Sequence, residues 1–230
     1  MTAQNEEMPA KKRLFLAVNL SIATTRRIAD AVARMRAMSG GMPIRVSFVP
    51  PANLHVTLKF LGWTNAEAIE PIKDQVRAGL LGRKGFELVA RGIGAFPNDK
   101  NARILWVGIE DPSGALAQLT VDVESWMTRL GYEPEAREFS PHVTIGRVKE
   151  GRGAEAILQP FHATEFGTSL IREVVLYESR MRSSGSEYLV VARFPVDVPS
   201  YRAERQTREV EGEAIEKEHE ETDTNGGQST

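Results

Sequence analysis

His55-Val56-Thr57-Leu58 and His142-Val143-Thr144-Ile145 are two short stretches that open on the same three residues. In a β-strand, residues i and i+2 point to the same face. Each stretch therefore projects a His and a Thr together and buries Val with Leu or Ile behind them. The chain holds four His, and two of them sit in this repeated setting. Two imidazoles offered together with two hydroxyls point to acid–base chemistry on a phosphate.

Working outward, the flanking sequence repeats as well. Arg13 to Val18 reads as a buried strand. Ser21 caps a helix running to about Met38, with Ile28, Val32 and Met35 on one face, and Gly40-Gly41 ends it. Val46 to Val49 is extended, Pro50-Pro51 forces a turn, and Leu54 to Leu61 carries the first His-Thr pair. Asn65 opens a helix to about Leu80 with Ile69, Ile72 and Val76 inward; Pro71 is awkward inside it and marks a restart. In the second half, Phe86 to Arg91 reads as a strand and Ala95 to Asp99 as a loop. Arg103 to Ile109 is a buried strand. Ser113 starts a helix to Leu130, with Leu116, Leu119, Val123 and Trp126 or Met127 facing in, and Gly131 stops it. Phe139 to Val148 carries the second pair. Phe15 lies 40 residues before His55 and Leu105 lies 37 before His142. Strand, helix, strand with His-Thr thus occurs twice, an internal duplication with the histidines 87 residues apart. Ile171 to Tyr177 and Tyr188 to Phe194 read as two closing strands, joined through Ser183-Ser184-Gly185-Ser186.

The folded domain is expected over 12–199, after a disordered N-terminus over 1–11. Residues 200–230 form a charged tail with too few large apolar side chains to offset ordering entropy, and it is expected to be disordered. The one element its pattern allows is a short charged helix from Ala203 to Glu220. The tail from 201 carries nine acids and four bases, so a chain of net charge −2 has a body of +3. That suits an anionic ligand. With no Cys, disulfides, thiolate catalysis and Cys-ligated zinc are excluded, which fits a reducing cytosol. No apolar run approaches the ~18 residues of a membrane span. Met1 to Lys12 is polar and acidic, unlike a signal peptide. A cytoplasmic protein without a membrane partner is the expectation.

Phosphodiester cleavage needs a proton removed from the nucleophile and another delivered to the leaving alkoxide. Two imidazoles can do both, one neutral and one protonated, because the ordinary His pKa of ~6.5 makes both states accessible near neutrality. The Thr hydroxyls can donate to non-bridging oxygens. No metal is needed, and neither strand carries an acid on its His face that would suggest one. Lys59 shares the parity of His55 and Thr57 and is a candidate for an anionic ligand. Arg147 would face away in a regular strand, unless Gly146 permits a bulge that turns the guanidinium inward. A single His-x-Thr is weak, since half-buried strands often carry Thr; the duplicated setting gives it weight. His162 lacks a Thr partner and reads as structural or exposed, and His219 as solvated. Phe96, Trp106 and Trp126 read most simply as core.

At these residues the chain resembles the 2H phosphoesterase superfamily, and within it the RNA 2′,3′-cyclic phosphodiesterases, also called 2′–5′ RNA ligases. Arg13-Leu14-Phe15-Leu16-Ala17-Val18 is similar to the family's first strand, and Val49 through Gly62 to its first motif. Ala95 to Asn98 and Arg103 to Gly108 resemble the mid-chain block. Phe139 through Arg147 resembles the second motif, and Leu176 to Ser179, Gly185, Tyr188 and Phe194-Pro195 the closing strands. The resemblance implies an α+β, two-lobed duplicated fold, with antiparallel sheets flanking a central cleft and helices on the outer faces. It implies metal-independent hydrolysis of RNA 2′,3′-cyclic phosphate ends to 2′-phosphomonoesters, without a cofactor, by a protein expected to be a monomer. It implies His55 as acid and His142 as base, with Thr57, Thr144 and Arg147 on the phosphate. Phe60 holds the place after the first motif that Arg147 holds after the second, and contacts a base or the core. Two alternatives stay open: 2′–5′ ligation of tRNA halves, the same chemistry reversed, and a non-catalytic nucleotide- or RNA-binding module. Two departures stand out, Phe48 where Trp is usual and Gly146 where a larger apolar residue is common.

Overall fold

Leu14 to Val18 are five consecutive buried residues, the mark of a strand covered on both faces. The computed structural model describes residues 11–151, 153–182 and 185–197, and this strand, β1 (Lys12–Val18), lies inside its sheet. The remaining elements are α1 (Ile22–Ser39), β2 (Ile44–Phe48), β3 (Val56–Thr64), α2 (Ile69–Gly79), β4 (Phe86–Phe96) and β5 (Ile104–Glu110). They continue with α3 (Ala115–Arg129), β6 (His142–Gly151), α4 (Glu155–Leu158), β7 (Glu165–Ile171), β8 (Glu173–Arg182) and β9 (Gly185–Pro195). The expectations for the two termini and His219, and for Ser183 and Ser184, lie outside the described residues.

The strands form an antiparallel sheet of nine, ordered β7-β4-β5-β6-β3-β1-β8-β9, with β2 beside β6. The order is a palindrome about the β6/β3 junction: β5 answers β1, β4 answers β8 and β7 answers β9. The two expected sheets are therefore halves of a single curled sheet. They meet at one registered pair, Val56 opposite Val143.

The helices cover the sheet in exchanged fashion. α1 leaves the β1 half but packs on β7 and α4 of the other half. Ser21 caps α1 by accepting from the Thr24 amide at 3.2 Å, which supplies one of the orphan N–H partners of a helix start. The same turn is tied to β7: the Ser21 amide donates to Ser169 Oγ at 3.0 Å, and the Thr24 hydroxyl to the Thr168 carbonyl at 3.2 Å. α3 leaves the β5 half and packs on α2 and β3.

Several boundaries move, each for a local reason. A 3-10 turn over Ala66–Ala68 precedes α2, so Pro71 falls in the first helical turn, where its missing N–H costs nothing. Asn65 makes no side-chain cap there. β4 runs on through Ala95 and Phe96, absorbing part of the expected loop, with a bulge at Gly92 between Arg91 and Ile93. β7 was not anticipated, because adjacent buried residues at Phe166 and Gly167 break its alternation. Among the described residues, no helix is long and apolar enough to cross a membrane.

Candidate active site

The junction of the two half-sheets is built from the repeated motifs themselves. Val56 and Val143, both fully buried, are the middle residues of His55-Val56-Thr57 and His142-Val143-Thr144. An antiparallel pair at these positions sets His55 beside Thr144 and Thr57 beside His142 on the opposite, concave face. All four side chains line one cleft of about 450 Å³.

Bulges decide what else reaches it. Where β3 pairs with β1, Leu58 is an extra residue: Thr57 stands opposite Ala17, and Lys59 opposite Leu16. The parity expected for Lys59 is thereby inverted. Lys59 shares the core face of Leu16, is 5% exposed, and donates to both Glu124 carboxylate oxygens at 2.7 Å and to the Glu133 carbonyl at 2.9 Å. It ties β3 to α3 and does not line the cleft. The same shift brings Phe60 opposite Phe15 and into the cleft wall. On β6 the corresponding residue, Ile145, is the extra one against β5, so Gly146 stands opposite Leu105 and Arg147 opposite Ile104. This turns Arg147 into the cleft, as a bulge was expected to do, though the bulge lies one residue before Gly146.

Each imidazole is anchored alike. His55 Nδ1 donates to the Asn53 carbonyl and His142 Nδ1 to the Ser140 carbonyl, both at 2.7 Å. With Nδ1 protonated, Nε2 is left to exchange a proton. In His55 it accepts from the Thr57 hydroxyl at 3.1 Å. The surroundings differ. His55 packs among Phe15, Tyr188 and Tyr177, with ring centroids at 4.9, 5.3 and 6.2 Å, whereas His142 meets Phe96 edge-on at 5.2 Å. Burial pulls the His55 pKa down to about 4, opposed by the Asn53 hydrogen bond and reinforced by repulsion from His142.

Lys and Arg elsewhere on the strands are matched to carboxylates. Among the described residues, three strand cations have no carboxylate partner: Arg13, Arg147 and Lys149. All three line the cleft, and no described carboxylate does. The site is cationic and suited to an anion. Among the described residues, no cluster of His, Asp and Glu suited to a metal ion occurs anywhere.

A family model described as the 2′-5′ RNA ligase superfamily matches residues 25–181. The chain belongs to this superfamily. An RNA 2′,3′-cyclic phosphodiesterase of Methanothermobacter thermautotrophicus is 34% identical over 181 residues, covering 77% of this chain and 95% of the relative. One of Aquifex aeolicus is 32% identical over 177 residues, 74% of this chain and 92% of the relative. The crystal structure of Escherichia coli LigT complexed with 3′-AMP superposes with a TM-score of 0.62 at 26% identity, covering 81% of this chain and 98% of that one.

Phe48 and Gly146, the two residues read from the sequence as departures, turn out to be neighbours. Phe48 stands opposite Gly146 in the β2–β6 pair. A Cβ on Gly146 would lie 3.3 Å from the Phe48 ring and 3.0 Å from Val46 Cγ1, so the missing side chain is what lets β2 press Phe48 against β6 at the cleft wall. Sequence reading missed Arg13, Lys149, Asn53 and Tyr188, whose roles in the cleft depend on pairing across strands. It also placed Phe96 in the core, whereas its ring flanks His142. The ring anchors left no signal in residue type, because the Asn53 and Ser140 groups that accept from the two Nδ1 atoms are main-chain carbonyls. Trp126 is buried as read, and His162 is half-exposed, with Nε2 3.0 Å from an Asp99 oxygen.

Proposed function

We propose that this protein hydrolyses 2′,3′-cyclic phosphate ends of RNA to 2′-phosphomonoesters by acid–base catalysis between His55 and His142. The observation that carries the reading is the Val56–Val143 pairing. It sets both His-Thr pairs on one face of a cationic cleft, in a chain whose relatives are named RNA 2′,3′-cyclic phosphodiesterases.

The reaction needs a water oxygen to bond to phosphorus while the bond from phosphorus to the 3′-oxygen breaks. One Nε2, unprotonated, takes the proton of the attacking water. The other, protonated, gives its proton to the departing 3′-oxygen. The 2′-oxygen keeps the phosphate. Thr57, Thr144 and the Arg147 guanidinium donate to the non-bridging oxygens, whose negative charge grows toward the transition state. The two Nδ1 anchors hold the rings in position, so little reorganisation is left to the reaction itself.

With its pKa lowered to about 4 by burial, His55 is neutral at pH 7, which is the state of a base. The acid role implied by the resemblance requires the bound phosphate to raise its pKa, and an anion in the same cavity acts in that direction. His142 then serves as base. His55→Ala and His142→Ala should each lower turnover of an oligonucleotide ending in a 2′,3′-cyclic phosphate by ~10²–10⁴-fold, the usual contribution of one positioned proton transfer. EDTA should leave the wild-type rate unchanged, and chromatography should show a 2′-phosphate product. Near wild-type turnover in either variant would sink the proposal.

A further inference from the structure

A second hollow of about 420 Å³ opens beside the cleft, where the start of β5 meets the end of β6. Its walls include Arg103, Lys149, Asn101 and Pro97, and it shares Lys149 with the cleft. Lys149 reaches both because it is itself a bulge residue: β2 sets Arg45 opposite Glu150 and Val46 opposite Val148, leaving Lys149 unpaired between them. Neither Arg103 nor Lys149 has a carboxylate partner among the described residues. The acids nearest in sequence are engaged elsewhere, Glu150 by Arg45 at 3.2 Å and Asp99 by His162 at 3.0 Å. The backbone around the hollow is fixed. The Val148 amide donates to the Arg103 carbonyl at 2.9 Å, Gly153 to Lys100 at 3.0 Å and Ala154 to Asp99 at 2.8 Å. Two cations on a locked frame, Lys149 two residues along β6 from Arg147 and Arg103 beside it at the start of β5, form a second place for an anion.

We propose that Arg103 and Lys149 form a subsite for the phosphate on the 5′ side of the terminal nucleotide, so that the protein prefers an RNA chain to a mononucleotide. This rests on the function proposed above. With the terminal cyclic phosphate at His55 and His142, the next phosphate of the chain is the nearest second anion on the same ligand. Arg147 and Lys149 then form a continuous cationic track between the two phosphates.

The test compares kcat/KM for three substrates: a 2′,3′-cyclic mononucleotide with a 5′-hydroxyl, the same with a 5′-phosphate, and a dinucleotide ending in the cyclic phosphate. The wild-type protein should favour the last two over the first by ~10-fold or more, and Arg103→Gln should bring the ratios close to 1, as loss of one phosphate contact does. Arg103→Lys, which keeps the charge, should restore most of the preference. Equal preference for the 5′-phosphorylated mononucleotide and the dinucleotide assigns the contact to a phosphate ester of either source. A preference for the dinucleotide alone that survives Arg103→Gln assigns it to the upstream base or ribose and overturns the subsite. So does a wild-type ratio near 1. A binding arm separates this from failure of the proposed hydrolysis: titration with a dinucleotide 3′-phosphate at two salt concentrations. Arg103→Gln should weaken binding ~10-fold and lower the salt slope by about 0.7, even if no substrate is turned over. Unchanged affinity and slope would overturn the subsite independently of activity.

Discussion

His55 and His142 make the same anchoring hydrogen bond two residues back along the chain, yet their rings meet different neighbours. Phe15, Tyr177 and Tyr188 surround His55 and strip water from its imidazolium, which is why its pKa falls from 6.5 to about 4. Stability should record this. The unfolded chain takes up a proton at His55 below pH 6.5 and the folded protein only below about 4. The contribution is therefore complete above 6.5 and is lost progressively as pH falls to 4, on the order of 3 kcal/mol in all. Urea unfolding of wild type and His55→Gln across this interval checks it: the variant should lose less stability by about that amount. Legibility at this scale was uneven. The His-Thr pairs could be read because strand parity is local. The lowered pKa of His55 could not, because two of the three rings around it come from β8 and β9, more than a hundred residues away.

Strands β3 and β6 show why parity alone misassigned a residue. The reactive pair opens each, followed by one extra residue, Leu58 or Ile145, and two positions later by a side chain turned into the cleft, Phe60 or Arg147. The bulges sit at matching positions in the two halves, and a bulge re-aims everything after it. Lys59 thereby leaves the ligand face and becomes the buried half of an ion pair with the partly exposed Glu124 of α3. Lys59→Ala removes a buried side chain and three hydrogen bonds and leaves the quarter-exposed Glu124 carboxylate without its partner, and should cost about 1–3 kcal/mol. A lower denaturation midpoint with an unchanged slope, and turnover per folded molecule close to wild type, would confirm a structural role. A selective rise in KM with full stability would return Lys59 to the ligand. Gly146 signalled irregularity in the sequence but could not locate it, since a bulge is defined by the partner strand.

At the scale of the whole molecule, the halves are mirrored in strand order and exchanged in helix packing. α1 is bonded to β7 of the opposite half; α3 is bonded to β3 through Lys59–Glu124, and the turn after it through the Tyr132 hydroxyl on Thr64 Oγ1 at 3.3 Å. Neither half-sheet keeps its cover without the other, so unfolding should be a single cooperative step despite the duplicated plan. Far-UV circular dichroism and fluorescence of Trp63 and Trp106, one in each half, should give coincident denaturant curves; two separated midpoints would refute the coupling. The sequence by itself determined the duplicated strand–helix–strand plan, the superfamily resemblance and the two His-Thr pairs, because periodicity, caps and motif spacing act over a few residues. Tertiary structure alone decided that two sheets are one, that Lys59 turns away while Arg147 turns in, and that unpartnered cations gather around one cleft. Those outcomes depend on register between strands far apart in the chain, and a shift of one residue there reverses which face a side chain meets.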